Sequence, residues 1–364
     1  MSSTGADIIP SDGRGKPRLK YAAGRLESVR ILIRPRLPVL ALLLLAPTIP
    51  ELLTGSTPIS ALFFDPLGFA FSFLGIVGLY GTGALLIREF VVRFQKGWAS
   101  VLLLGAAYGI AEEGLAVHTF FEPAGLSPVG NLGWYGHAFG VNWLWALGLT
   151  AFHAVYSIAL PILLTQLWFP EVKAVRWLDS GAVGLVAAVY VFVVGFFAFL
   201  VGHGPSPPLL LLFLGIEAGL VALAYRIPAD FLSVRAGPRR LGAGRLALDG
   251  AAFFGAWAGV LVLSDAGSRI SAWGTALFFV LVSLTALLVV VRYVGTVDLD
   301  RSKFYFATGM FAALFAWDVL VEFTVPGILL VSALFAYLLY RLHRTLLSRA
   351  SRPVPPGALG SPLL

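Results

Sequence analysis

The chain has 364 residues, of which 58% are hydrophobic and 12% charged, with a mean hydropathy of +0.87. A soluble globular domain carries roughly twice that charged fraction, so the composition excludes an ordinary water-soluble fold. The formal charge is +7, and the chain has no cysteine, which excludes disulfides, thiolate metal sites and a cysteine nucleophile.

Apolar runs of about 20 residues recur along the sequence, the length a helix needs to cross a bilayer. A transmembrane barrel would show shorter, alternating segments instead. The fold class is therefore all-α: a polytopic integral membrane helical bundle of about ten transmembrane helices. Residues 1–36 hold eight basic residues and are expected to form a cytoplasmic tail able to lie on anionic lipid. They also make too long a polar lead for a cleavable signal peptide. The spans that follow are read at 37–53, 66–87, 98–121, 141–168, 180–202, 207–226, 247–264, 272–292, 304–323 and 325–342. Residues 343–364 form a second basic tail. The first span contains Pro38, Pro47 and Pro50 and is expected to break near its far end. Pro161 is expected to bend the fourth. Residues 37–170 read as a four-helix module and 171–342 as a six-helix module, with no evident internal repeat of the kind found in duplicated transporters.

Charge supports this count. If the amino terminus is cytoplasmic and the spans alternate, 25 of the 26 lysines and arginines fall on the cytoplasmic side and only Arg269 on the other. The positive-inside rule thus gives a multi-pass protein of the cell membrane with both termini in the cytoplasm. It also explains the basic charge without nucleic acid as a partner.

The residues most able to carry chemistry are Glu112 and Glu113, side by side in the third span. A carboxylate at mid-membrane costs roughly 2.5–3.5 kcal/mol on insertion scales and usually marks a function. Counted back from Phe121, Glu113 lies about 12 Å from the outer end of its helix; counted from Val141, His153 lies about 18 Å from the same side of the fourth. Helices joined by one loop are usually neighbours, so a Glu–His contact is expected. On the fourth span Asn142, Leu149, His153 and Ser157 share a stripe, and on the third Gly105, Gly109 and Glu113 share a face that permits close approach. Adjacent carboxylates differ by about 100° around an α-helix, so one is expected to face a cavity and the other a neighbouring helix. Three roles stay open: acid–base chemistry with a metal-bound water, a proton or cation site, and a buried polar clamp. His118, His137 and His203 sit near the outer mouth as further candidate ligands. Arg88-Glu89 reads as a snorkelling, locally paired helix end. Asp318 and Glu322 read as capping or inter-helix acids, with Glu217 a further membrane acid. Trp134, Tyr135, Trp143 and Trp145 read as an aromatic belt.

Five segments together resemble a family of uncharacterised prokaryotic polytopic membrane proteins: Glu51-Leu-Leu-Thr-Gly-Ser-Thr-Pro58, Tyr80-Gly-Thr-Gly-Ala-Leu-Leu-Ile-Arg-Glu89, Gly109-Ile-Ala-Glu-Glu-Gly-Leu115, Gly140-Val-Asn-Trp143 and His153-Ala-Val-Tyr-Ser-Ile158. The pair Glu112-Glu113 followed by Leu149-x-x-x-His153 is more distantly similar to the CAAX-protease and bacteriocin-processing (CPBP) intramembrane metalloproteases. That likeness implies catalytic Glu112, Glu113 and His153, with Glu113 and His153 holding a divalent metal such as zinc and Asn142, Ser157 and His118 in support. The chain departs from that pattern: Val117 stands where the family has arginine, Leu149 where it has phenylalanine, and no later membrane histidine supplies the third motif. The third ligand is then Asn142, His118 or His137, or is missing.

Overall fold

A computed structural model describes residues 36–121, 135–202, 204–232, 241–265, 271–293 and 299–350. Among them the chain is a helical bundle with a single two-residue hairpin. Helix α1 (Arg36–Pro47) continues into a π-helical turn, Thr48–Leu52. A four-residue helix α2 (Ala61–Phe64) leads into α3 (Pro66–Arg93), and α4 spans Trp98–Ala116. Strands β1 (His137–Ala138) and β2 (Val141–Asn142) precede α5 (Trp143–Trp168). The remaining helices are α6 (Ser180–Val201), α7 (Pro207–Arg226), α8 (Ala243–Asp265), α9 (Ala272–Tyr293), α10 (Leu299–Val321) and α11 (Ile328–Ala350). Seven of these, namely α3 to α7, α10 and α11, are long and apolar enough to cross a membrane.

Local chemistry sets the ends. Asp65 caps α3 by accepting from the Gly68 N–H at 2.9 Å, with Pro66 at the first helical position. Asp179 caps α6 through the Ala182 N–H at 2.8 Å, and Gly202, at φ +71°, closes that helix in the left-handed region. Glu322 accepts from the backbone N–H groups of Gly327 and Leu329, both at 2.9 Å, and so ties the α10–α11 turn. Asp318 accepts from Ser332 across the same two helices at 2.5 Å.

Helices α4 and α5 form the centre: 78% of each span is buried, against none of α6. Lipid supplies no hydrophobic drive between helices, so their association rests on close packing at small residues. A Cβ at Gly81 of α3 would meet the Leu43 carbonyl oxygen of α1 at 2.8 Å, and Gly250 and Gly309 bring α8 and α10 backbone to backbone.

Several features differ from the sequence reading. The third helix stops at Ala116, not Phe121, because Val117 to Phe121 turn, with His118 in the left-handed region at φ +59°. The fourth begins at Trp143, since Val141 and Asn142 are paired in the hairpin. α11 runs on to Ala350, so the start of the expected tail is helical. Finally, Arg88 does not snorkel. It is 1% exposed inside α3, donates to the carbonyls of Val172, Lys173 and Val175 and to Glu89, and lies 3.6 Å over the Trp177 ring. The tails, residues 1–35 and 351–364, lie outside the described residues.

The lysines and arginines among the described residues lie toward one end of the bundle, which is tied together by Arg93 to Leu178, Lys96 to Ile227 and Arg349 to Leu167 and Trp168. We call it the basic end. The Thr54–Pro58 turn, the segment after α4 and the α10–α11 turn lie at the opposite end, where Gly55 packs on Val325 and Gly204 on His118.

Candidate functional site

Gly109 brings the two central helices together. A Cβ there would stand 3.1 Å from the Thr150 Cα and from the His153 Cβ. Side chains lean toward the amino terminus of their own helix. α4 and α5 run antiparallel, so the glutamates of α4 lean back and His153 of α5 leans forward, and they meet one turn beyond the crossing. His153 Nε2 lies 2.9 Å from Glu113 Oε1, and Nδ1 lies 3.1 Å from Glu112 Oε2 and 2.8 Å from Ser157 Oγ. Glu112, Glu113, His153 and Ser157 are all buried.

The helices depart from α geometry at this point. The described residues contain four π-helical segments: Thr48–Leu52, Val77–Gly81, Ala111–Ala116 and His153–Ala159. They carry Glu51, then Tyr80, then Glu112 with Glu113, then His153 with Ser157. π-turns occur mostly as single turns at functional sites. An i→i+5 turn holds more residues than an α-turn, so neighbours are rotated less about the axis. Glu112 and Glu113 reach His153 at different ring nitrogens, Glu112 at Nδ1 and Glu113 at Nε2.

Around this centre the second oxygen of Glu113 accepts from Thr119, whose Oγ1 accepts from Trp145 Nε1 at 3.1 Å. Glu51 Oε1 accepts from the Tyr80 hydroxyl at 2.5 Å, and Oε2 from Thr57 at 2.7 Å. The Tyr80 and Tyr108 hydroxyls both face Glu112. The rings of Tyr80 and Tyr108 pack on His153, with centroids 6.0 and 6.2 Å away. Two buried polar atoms here make no hydrogen bond: the Tyr108 hydroxyl, and Glu112 Oε2, whose contact with His153 Nδ1 is 3.1 Å. Such atoms in a native interior call for an explanation, an ion or a water among them.

Among the described residues, Glu112, Glu113 and His153 are the one group of three whose ligand atoms all lie within 4.8 Å of one another. Two carboxylates and an imidazole suit zinc or another first-row divalent ion, and three protein donors leave a coordination position open. The donor set thus fits a metal. The third side chain that the structure brings together with Glu113 and His153 is Glu112, not Asn142, His118 or His137. Asn142 precedes α5, and its side-chain oxygen caps that helix through the Trp145 N–H at 3.0 Å. His118 is buried beside Gly204, and His137 sits in β1 paired with Asn142. His203 lies outside the described residues.

Sequence reasoning passed over Glu51, Tyr80, Thr119 and Trp145. Trp145 is no mere belt residue, since its indole N–H holds Thr119; Trp143 donates to the Ala138 carbonyl at 3.1 Å and Tyr135 bonds Thr275 at 2.8 Å. Trp134 is outside the described residues. The signal available for Tyr80 was a phenol in mid-span, which needs a partner when buried.

No curated protein and no solved structure matches the chain. The sequence model of an uncharacterized membrane protein family matches residues 40–349, most of the length, and the chain belongs to that family.

Proposed function

We propose that this membrane protein binds a divalent metal ion through Glu112, Glu113 and His153 and uses it for hydrolysis inside the membrane. The observation that carries the reading is the convergence of three buried side chains with ligand atoms, Glu112, Glu113 and His153, within 4.8 Å of one another. When bound, such an ion supplies a Lewis acid and an activated water. The protein's own groups divide the remaining work. Glu113 has both oxygens engaged, by His153 and Thr119, and so is held in one orientation. Ser157 fixes the His153 ring from Nδ1, the kind of outer contact that sets tautomer and aim. Glu112 Oε2 meets His153 Nδ1 at 3.1 Å, and the Tyr108 hydroxyl is a nearby group with a proton to give. Cleavage of a peptide bond is the narrower form of this reading, supported by the likeness of Glu112-Glu113 and Leu149-x-x-x-His153 to the CPBP motifs.

The test is metal content of the detergent-purified protein, wild type beside His153→Ala and Glu113→Gln. About one ion per chain in the wild type and loss in both variants supports the reading. A wild type without stoichiometric metal overturns it.

A second reading, a proton or cation site for transport, is favoured by the run of polar contacts from Thr57 through Glu51 and Tyr80 to Glu112. Against it, the contacts from Thr57 and those through Thr119 both lead to the end of the bundle opposite the basic end, so the chain of groups does not cross. Ion flux in proteoliposomes that Glu113→Gln reduces would favour transport over hydrolysis. If the basic end is cytoplasmic, as the positive-inside rule favours, the site lies toward the outer side.

A further inference from the structure

We infer that the exposed face of α11 at the basic end is a binding site for an anionic phospholipid, whose phosphate is held by Arg341 and Arg344.

The sequence sets the parts in order along one side of the helix. Residues three and four apart share a face, and Leu330, Leu334, Tyr337, Arg341, Arg344 and Ser348 follow that spacing. All six are exposed. The stripe passes from leucine through tyrosine to arginine as it nears the basic end. That is the order of acyl chain, interface and headgroup across a bilayer leaflet. Arg341, Arg344, Thr345, Leu347 and Ser348 line an open recess of about 490 Å³ there.

The two arginines do not reach for water. Side chains lean toward the amino terminus of their own helix, which for α11 is the direction into the bilayer. Arg341 Nη1 donates to the Tyr337 hydroxyl at 3.0 Å, and Arg344 Nη1 to the Tyr340 hydroxyl at 3.1 Å, one turn back in each case. The guanidinium carbons lie 5.8 and 6.0 Å from the centroids of the same two rings. Arg349, bonded to carbonyls at the end of α5, marks the edge of the bundle. At about 1.5 Å per residue, Arg344 is roughly 7.5 Å and Arg341 roughly 12 Å inside it.

Neither arginine has an acidic partner among the described residues. Two cations held on a lipid-facing surface at this depth are costly unless an anion meets them. A guanidinium carries five donors in a fork that matches phosphate oxygens, and each tyrosine takes only one of them. The anion that a bilayer supplies here is the phosphate of a lipid headgroup, with its acyl chains alongside Leu334 and Leu330. A zwitterionic headgroup would bring its own cation against the arginines, so the charge favours a net anionic lipid.

The experiment titrates the full-length protein in detergent with phosphatidylglycerol or with phosphatidylcholine and counts bound lipid by native mass spectrometry. The proteins are wild type, Arg341→Gln with Arg344→Gln, and Tyr337→Phe with Tyr340→Phe. Wild type should bind phosphatidylglycerol more tightly than phosphatidylcholine. Loss of both arginines should weaken the phosphatidylglycerol site about 30-fold and leave phosphatidylcholine binding unchanged. The tyrosine pair keeps every charge but no longer aims the guanidiniums, so it should weaken the same site to a smaller extent. Bases elsewhere in the chain are common to all three proteins, so the differences belong to this face. Equal binding of the two lipids by wild type overturns the inference, as does wild-type affinity for phosphatidylglycerol in the arginine variant. An unchanged site in the tyrosine variant overturns it as well, and that variant decides alone should the arginine variant not fold.

Discussion

Gly105 of α4 stands so close to Ala154 of α5 that a Cβ on the glycine would fall 2.8 Å from the Ala154 Cα and 2.9 Å from its carbonyl oxygen. Backbone atoms cannot swing aside as a flexible side chain does. Gly105→Val should therefore push the central helices apart, with a loss of about 1–3 kcal/mol as for other overpacked cores. Thermal unfolding in detergent reads the loss. Because the side chains proposed to hold the metal sit on the two sides of this crossing, any metal content should fall with it. A variant with unchanged melting would show that the crossing does not hold the bundle.

Arg88 holds the segment after α5 against α3. Its guanidinium meets three carbonyls, one carboxylate and one indole face, a fit to a planar fork. Truncation to Ala leaves Glu89 with only the Trp177 N–H at 2.9 Å and Arg93 at 3.5 Å and strips three carbonyls of their donor, at a cost of about 1–3 kcal/mol. Arg88→Lys should recover only part of this, since an ammonium is a point charge. Both values come from the same unfolding assay, and equal stability of Lys and Arg at 88 would contradict the fork.

Thr119 acts on the site at one remove, donating to Glu113 while Trp145 holds its oxygen. Thr119→Val keeps the shape and removes the donor. Zinc affinity should drop about tenfold, whereas Glu113→Gln should abolish stoichiometric binding. Chelator competition separates the two, and an unaffected Thr119→Val would place Thr119 outside the site.

Glu322 gives a pH signature outside the membrane spans. The N–H groups of Gly327 and Leu329 hold its carboxyl below the ordinary value of 4.5. A carboxyl lowered in the folded state stabilises the fold above its unfolded value, and the stabilisation fades as pH falls through the folded value. The melting temperature of wild type should exceed that of Glu322→Ala at neutral pH, and the gap should close below about pH 4.5. A gap that persists in acid would assign the difference to packing instead.

Orientation is testable because the chain has no cysteine. Ser56 is exposed in the turn after α1, and Ala174 is exposed at the basic end. In intact cells a membrane-impermeant maleimide should label Ser56→Cys and not Ala174→Cys. The reverse pattern would put the basic end outside.

The helices were legible because apolar length and charge placement are properties of single segments. Tyr80, inside a recognised span, shows the limit of that kind of reading. Its hydroxyl is bonded to Glu51, 29 residues earlier, a pairing no single segment displays. A π-turn leaves no mark on hydrophobic period, so phase arguments from 100° per residue misjudged Glu112 and Glu113. They also placed Asn142 on a helix whose first residue is Trp143. The meeting of Glu113 with His153 was foreseen, since glycine spacing and a shared loop bear on it directly. Arg88 was misjudged because its partners are carbonyls of a distant loop, which composition does not show.

The four π-turns have a cost that the fold could shed. Each holds one residue more than a regular turn of the same rod. Removing a single residue near Leu52, Gly81, Ala116 or Ala159 would let the helix close into ordinary register and gain backbone regularity. The same deletion would rotate Glu51, Tyr80, the glutamate pair or His153 out of the centre. At these four places a shorter chain would make a steadier rod and scatter the side chains that now meet.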